Sequence, residues 1–455
     1  MLVNINDRID HFLFKPVSIA PLVVFRICFG LLACFSVVRF IEKGWINEFY
    51  VQPSFHFTYY GFGFVKPLPA LGMYLVFAVM AICSLFIAIG FLYRLSTLTF
   101  FTLFTYVELI DKTYYLNHYY FISLIAFLMI WLPANRAFSI DNALFKRNSI
   151  SSISSICIDI LKFQLAVVYF YAGLSKLNPD WLIQAQPLKI WLPAYVSTPI
   201  IGFLFAKTIT AYVFCWFGAL YDLSISFFLL YRKTRSYAYV TVVVFHIITW
   251  LLFPIGVFPW VMIVSTLIFF SDAFHLRLLE TLSNLFRISL NLNPKPYLCN
   301  RFTKKWALVG ISVYCIVQLL VPLRFLLYPG KLYWTEEGFR FSWRVMLMEK
   351  AGTAFFFVKN SATGGETEIN NCEYLSGAQE KMMSTQPDMI LQYAHHLQNM
   401  YTEKGYPHAS VRVESYVSLN GQGSRLFINP QTDLTKEVEN LGHKNWVLPY
   451  SNPKN

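Results

Sequence analysis

Nine apolar stretches constrain this chain more than any other feature. They lie near residues 17–40, 70–92, 95–110, 119–134, 153–174, 211–231, 237–251, 256–271 and 306–327. A helix needs about 20 apolar residues to cross a bilayer. The third, fourth, seventh and eighth stretches are shorter and are credible only as members of a bundle. The sequence therefore predicts a polytopic α-helical membrane bundle of about nine transmembrane helices over residues 1–327. Of 455 residues only 14% are charged and 56% are hydrophobic, against roughly 25% charged in a soluble domain. The aromatic fraction of 18% suits helices that meet lipid and headgroups.

The net charge of +12 could suggest a nucleic-acid partner, but the charge is unevenly placed. Residues 1–327 hold 25 Lys/Arg against 12 Asp/Glu, and residues 328–455 hold 12 against 13. Nine spans put the termini on opposite faces. Then 15 basic residues fall on the N-terminal side and six, Lys176 among them, in the opposite loops before the last span. By the positive-inside rule the N-terminus is cytoplasmic. The basic excess reads as topology, and no nucleic-acid role is expected. The first sixteen residues carry charges and no small-residue cleavage site, so no removable signal peptide is expected.

Beyond residue 328 the composition changes to that of a small extracytoplasmic β-rich α+β domain. Hairpin strands are predicted near 353–359 and 366–370 around Gly364-Gly365. An amphipathic helix is predicted over 385–403, and two more strands joined at Asn420-Gly421. Six of the eight cysteines lie in apolar runs, where Cys behaves as a small hydrophobe. Cys299 and Cys372 fall on opposite faces. No CxxC pair, Walker loop, HExxH or GxSxG is present, so no metal site is expected.

Ionisable groups within or beside spans are functional candidates, because the bilayer makes them costly. YFYAGLSKLNPDW, from Tyr169 to Trp181, carries Gly173, which permits close backbone approach, and Lys176. A lysine withdrawn from water can serve as a base, although a snorkelling interfacial lysine reads equally well. DKTYYLNHYY carries His118 among tyrosines, where a neutral imidazole can bond a phenolic oxygen. The other reading makes Asp111, Lys112 and His118 caps of short helices. Asp222 lies mid-span in the sixth stretch and His246 in the seventh, each a pocket residue or a buried structural partner. WTEEGFRFSWRVMLMEK, with Arg340, Trp343 and Arg344, is an interfacial anchor or a lid over a membrane pocket.

These segments, together with WLPANRAFSIDNAL, FHIITWLLFPIGVFPW and SLNGQGSRLFINP, occur in an order and spacing that resembles the vitamin K-dependent γ-glutamyl carboxylases and their bacterial homologues. The resemblance runs from the first span to about residue 450. It implies an integral membrane enzyme of the carbon–carbon lyase class. Reduced vitamin K, a hydroquinone of phylloquinol or menaquinol type, reacts with O2 to give the epoxide. CO2 is added at the γ-carbon of a peptidyl-glutamate acceptor. No ordinary side chain can deprotonate that carbon, so a cofactor must supply the base.

By the resemblance, Lys176 is the base toward the hydroquinone and His118 supports it. Tyr169, Gly173, Asp222, His246 and Trp260 fall in the cofactor pocket segments. Arg340, Trp343 and Arg344 fall where the outer domain meets the substrate channel. Ser175 stands where animal members have a second lysine. The animal lumenal disulfide and the longer C-terminal region have no counterpart here, which suggests a bacterial cytoplasmic-membrane form. Two other readings remain: a quinol oxygenase that does not carboxylate peptides, and a non-catalytic lipid- or partner-binding membrane protein.

Overall fold

The computed structural model describes residues 13–145, 149–286 and 301–450. Cys299 lies outside the described residues. So do Arg8, Lys146, Arg147, Arg287 and Lys295, which count toward the basic bias, and the first twelve residues of the N-terminal segment.

Every predicted apolar stretch is helical. The helices are α1 (Ala20–Glu42), α2 (Ala70–Ile89), α3 (Tyr93–Ile110), α4 (Asn117–Trp131), α5 (Ile156–Lys176), α6 (Thr208–Leu230), α7 (Arg235–Leu252), α8 (Phe258–Ser265), α9 (Asp272–Phe286) and α10 (Arg301–Leu320). Not every one is a candidate span. Six described helices are long and apolar enough to cross a membrane, and seven if the α8 and α9 segments, bent by 115°, form one broken span. The prediction of about nine is reduced for two physical reasons. α4 has 15 residues, about 22 Å at 1.5 Å per residue, against a hydrocarbon core of about 30 Å. α3 carries Arg94, Glu108 and five Ser/Thr side chains that dilute its apolar character.

The order of α4 gives the bundle two functional ends. At its C-terminal end the WLPANRAFSIDNAL segment is a structural clasp. Asp141 accepts the backbone N–H groups of Leu92 and Tyr93 at 2.7 and 3.0 Å and the Asn135 amide at 2.7 Å. Arg26, fully buried on α1, donates to the carbonyls of Ala134 and Phe138 at 3.0 and 2.6 Å. The Asp141 carboxylate and both terminal nitrogens of Arg26 are thereby satisfied without solvent, while Arg26 Nε has no partner among the described residues. At its N-terminal end α4 carries His118, on the side where α5 ends in Lys176.

The C-terminal region is built on a four-stranded antiparallel sheet. Its strands are β1 (Lys350–Lys359), β2 (Glu366–Ile369), β3 (Ser410–Leu419) and β4 (Arg425–Leu426), in the order β2-β1-β3-β4. The β1–β2 hairpin forms as predicted, with Phe356 opposite Ile369. The turn after β3 has Asn420 at φ 52° and Gly421 at φ 70°, the left-handed pair that an Asn-Gly turn favours. Its second strand is only two residues long. The long β1–β3 pairing, with Lys350 opposite Leu419 and Lys359 opposite Ser410, was not read from sequence. α11 (Gly377–Met383) and α12 (Pro387–Glu403) accompany the sheet. α12 buries Met389, Ile390, Tyr393, Ala394 and Leu397, the stripe expected of its amphipathic pattern.

The sheet region is fastened to the bundle by specific bonds. Gln379 closes the capping box that begins α11. Its Nε2 also donates to Phe55 O at 2.7 Å and Asp111 Oδ2 at 2.9 Å. Asn117, at the start of α4, donates to Arg344 O at 2.8 Å. Asp180 receives Lys331 at 2.8 Å and Asn420 at 3.1 Å.

Within the bundle, α5 and α6 cross at Gly173. A Cβ there would lie 2.7 Å from Leu223 N and 2.8 Å from its Cγ. Gly173→Ala is expected to lower thermal stability in detergent by about 1–3 kcal/mol, the range for overpacking. Thermal unfolding of the purified variant checks this, and an unchanged melting temperature would refute the close crossing.

Candidate active site

The crossing at Gly173 sets the chemistry one turn later. Lys176, the last residue of α5, points its Nζ at Asp222 Oδ2 on α6, 2.6 Å away. Their side chains are 8% and 7% exposed. Nζ also donates to Ala172 O at 3.2 Å and lies 5.5 Å from the centre of the Trp181 ring. The Asn178-Pro179-Asp180-Trp181 sequence explains that ring. Asn178 Oδ1 accepts Trp181 N at 3.0 Å, starting a helical turn with Pro179 at its first position. Trp181 Nε1 is then fixed to Cys215 O at 2.8 Å. Lys176 is therefore buried in an ion pair and does not snorkel to water, and Asp222 is its structural partner.

This pair closes one side of an inner cavity of about 100 Å3, lined also by Tyr169, Trp181, His246 and Phe258. The Tyr169 hydroxyl lies 3.3 Å from His246 Nε2 and 3.4 Å from Thr266 Oγ1. The Tyr221 hydroxyl and His246 Nδ1 are buried and have no partner among the described residues.

His118 faces a second, outer cavity of about 830 Å3, lined also by Lys112, Trp260, Arg340, Arg344 and Gln386. Phe253, Ile255, Phe258, Val345 and Met346 line both cavities. Phe258 is the centre of this wall. Its ring centroid is 5.7 Å from His118 on one side and 5.7 Å from His246 on the other. Lys176 and His118 therefore occupy two cavities separated by one layer of side chains.

The remaining candidates separate by role. Gly173 is a packing residue at the helix crossing. Trp260, 40% exposed, stands at the rim of the outer cavity with Trp250 at 5.7 Å. Trp343 is buried against Tyr120 at 5.0 Å and lines neither cavity. Arg340 and Arg344 both reach the outer cavity. The segment that carries them is unusual: Phe341, Trp343 and Met346 all have positive φ, a conformation held only where the surroundings impose it. Ser175 is buried, donates to Ala172 O at 2.8 Å, and faces a third cavity with Asp180, Tyr333 and Arg344.

One cluster went unread in the sequence. Lys112, buried in the loop before α4, meets Asp388 at 2.8 Å, and Arg340 meets the same carboxylate at 2.7 Å. Arg340 also bonds the Gln386 side chain. Burial alone would raise the Asp388 carboxyl, but Arg340 and Lys112 hold it well below the usual carboxylate range. Burial lowers Lys112, with Asp388 opposing. The available signal was Asp388 in the first turn of an amphipathic helix, and nothing in the spacing links it to Lys112. Among the described residues no group of three or more His, Cys, Asp or Glu is arranged to hold a metal ion.

A broken-span helical bundle with a buried lysine–carboxylate pair, capped by a small antiparallel sheet, defines a polytopic integral membrane protein with a lumenal-type C-terminal domain. The HTTM domain matches residues 14–274, and the vitamin K-dependent gamma-carboxylase lumenal domain matches residues 303–453. The chain belongs to the vitamin K-dependent gamma-carboxylase family. The second match begins at 303 and so includes α10, whereas the boundary expected from sequence follows that helix. No solved structure matches the chain.

Asp388→Asn leaves Lys112 and Arg340 without their shared carboxylate. The expected loss is roughly 2–3 kcal/mol, below the about 3–5 kcal/mol for breaking a fully buried pair, because the Asp388 side chain is 26% exposed. The sign of the pH effect follows from the depressed carboxyl. Its stabilisation is complete above the unfolded value of about 3.9, begins to fall below it, and is lost only as pH falls through the depressed folded value. Thermal unfolding of wild type and variant between pH 7 and 3 should show the difference shrinking at the acid end.

Proposed function

We propose that the protein couples oxygenation of reduced vitamin K to addition of CO2 at the γ-carbon of peptidyl glutamate, with Lys176 as the base toward the hydroquinone. One observation carries this reading beyond family membership: Lys176 Nζ is buried beside an apolar cavity with Asp222 at 2.6 Å. A base must receive a proton and release it, and Asp222 is the acceptor placed to take one from Nζ. Trp181 and Ala172 restrict Nζ to that side.

The pocket residues suit a hydroquinone. Small-molecule cavities usually span about 300–1,000 Å3, a range that the outer cavity of about 830 Å3 meets and the inner one does not. The inner walls are mainly apolar, and Tyr169 and His246 there, with His118 in the outer cavity, can bond a phenolic oxygen; the outer cavity also presents Lys112, Glu336, Arg340, Arg344 and Gln386. His246, which lines the inner cavity with Lys176, keeps an Nδ1 without a partner among the described residues, and so has hydrogen-bonding capacity left for a ligand. When bound, the reduced cofactor supplies, with O2, the strong base that no side chain provides. The chain's own part is to hold the ring, to move a proton at Lys176 Nζ and to exclude water behind Phe253, Phe258 and Met346.

The basic bias of the loops supports a cytoplasmic N-terminus and an extracytoplasmic sheet domain. In that orientation Lys176 and His118 both lie toward the outer face, where a peptide acceptor bound by the sheet domain could reach the outer cavity.

Purified protein with reduced vitamin K, O2, labelled bicarbonate and a glutamyl peptide should form epoxide and incorporate label. Lys176→Ala should lower both rates by about 10²-fold or more, the usual contribution of a positioned base. Epoxide without incorporated label would establish the oxygenase reading instead. Neither product in the wild type would refute both.

A further inference from the structure

Three carboxylates near these cavities satisfy neighbouring cations in ion pairs. Lys176 has Asp222 at 2.6 Å, Lys112 and Arg340 share Asp388 at 2.8 and 2.7 Å, and Lys350 has Glu336 at 2.9 Å. Arg344 is 8% exposed and has no carboxylate partner among the described residues. Its Nη1 reaches the Tyr333 hydroxyl at 3.5 Å, its Nε has no partner, and its guanidinium lies 4.3 Å from the centre of the Phe325 ring. Arg26 also lacks a carboxylate, but it donates to two backbone carbonyls. A buried charge without a counter-charge is costly, and a fold that keeps one has a use for it.

The surroundings hold Arg344 in place. It sits between Trp343 at φ 61° and Met346 at φ 55°. Asn117, next to His118, donates to its carbonyl at 2.8 Å. Tyr333 in turn donates to Ser175 O at 3.1 Å, next to Lys176. The guanidinium stands where the outer cavity meets the third cavity, of about 360 Å3. Asp180 in that cavity is neutralised by Lys331 at 2.8 Å, so it does not compensate Arg344.

We propose that Arg344 binds a carboxylate-type oxyanion at the junction of these two cavities, and that in the reaction above the anion is the side-chain carboxylate of the glutamyl acceptor. The planar guanidinium fork matches a carboxylate in two parallel hydrogen bonds. A cation on that carboxylate also favours the negative charge that develops when the neighbouring γ-C–H bond breaks. The source of the anion rests on the carboxylase reading; the anion site does not.

Binding to the full chain in detergent micelles tests this without turnover. The probes are an N-acetylated glutamyl peptide amide, its glutaminyl counterpart and sodium bicarbonate, at constant ionic strength, followed by ligand-dependent thermal shift. The wild type should bind the glutamyl peptide at least about tenfold more tightly than the glutaminyl one. Arg344→Gln should abolish that preference and, free of ligand, melt no lower than wild type, because an unpaired charge has gone. Arg344→Lys, which keeps the charge and loses the fork, should weaken glutamyl binding several-fold and serves if the glutamine variant fails to fold. A bicarbonate shift that depends on Arg344, without peptide selectivity, supports the anion site and assigns it to a free anion. Equal affinity for the two peptides with no bicarbonate shift, or selectivity undiminished in the variants, overturns the proposal. Arg344-dependent selectivity in a protein that forms no epoxide would leave the site standing and remove the carboxylase reading.

Discussion

The pairing of Lys176 with Asp222 across two apolar helices is the interaction on which the rest of the site depends. Neither charge is affordable alone inside a bundle that excludes water. Their meeting requires α5 and α6 to approach within van der Waals contact of their backbones, which Gly173 allows. One turn beyond, the lysine stem lies against Trp181, whose indole is tied to α6 through Cys215 O. A small residue, a buried pair and an anchored aromatic thus form a single unit. It fixes the Lys176 amine to better precision than a loop would.

The second dependency runs between bundle and sheet. The segment from Glu336 to Leu347 has no regular structure, yet it contributes Val345 and Met346 to both cavities and Arg340 and Arg344 to the outer one. It is held by residues on both sides: Arg340 by Asp388 of α12, Arg344 O by Asn117 of α4, and Trp343 by the Tyr120 ring. Its left-handed residues are tolerable because these contacts over-determine the path. The sheet region therefore does more than cover the bundle, since it supplies part of the cavity wall. A displacement of α12 would carry the Arg340 side of the outer cavity with it.

Much of this was legible in residue order. The apolar stretches located every helix of the bundle except α9, which follows the eighth stretch; the Asn-Gly pair located the turn after β3, and the amphipathic pattern located α12. Lys176, His118, Asp222 and His246 stood out because polar side chains are rare in such segments. What was not legible depended on distances between segments far apart in the chain. Asp222 is 46 positions from Lys176 and Asp388 is 276 from Lys112, and no local period encodes either meeting. Trp343 misled for a related reason: alternation of aromatic and basic residues suggests a surface, but positive φ at Phe341 and Trp343 turns the indole into the core. The nine stretches exceed the six or seven described helices that pass on length and hydropathy, because α3 is diluted by polar side chains and α4 is short.

The wall around Phe258 has the most to say about how such a site could work. It comes from the short helix after Pro254-Ile255-Gly256, in the bent pair of helices that together form one candidate span. A straight span would continue past the cavity; the bend instead brings a single phenylalanine between two imidazoles, edge-on to His246 and tilted against His118. Phenylalanine offers neither histidine a hydrogen bond, and His246, bonded to Tyr169 through Nε2, keeps Nδ1 without a partner among the described residues. Phe253, Ile255, Val345 and Met346 complete the wall, so the space beside Lys176 and the space beside His118 meet at five side chains, with Phe258 between the two imidazoles.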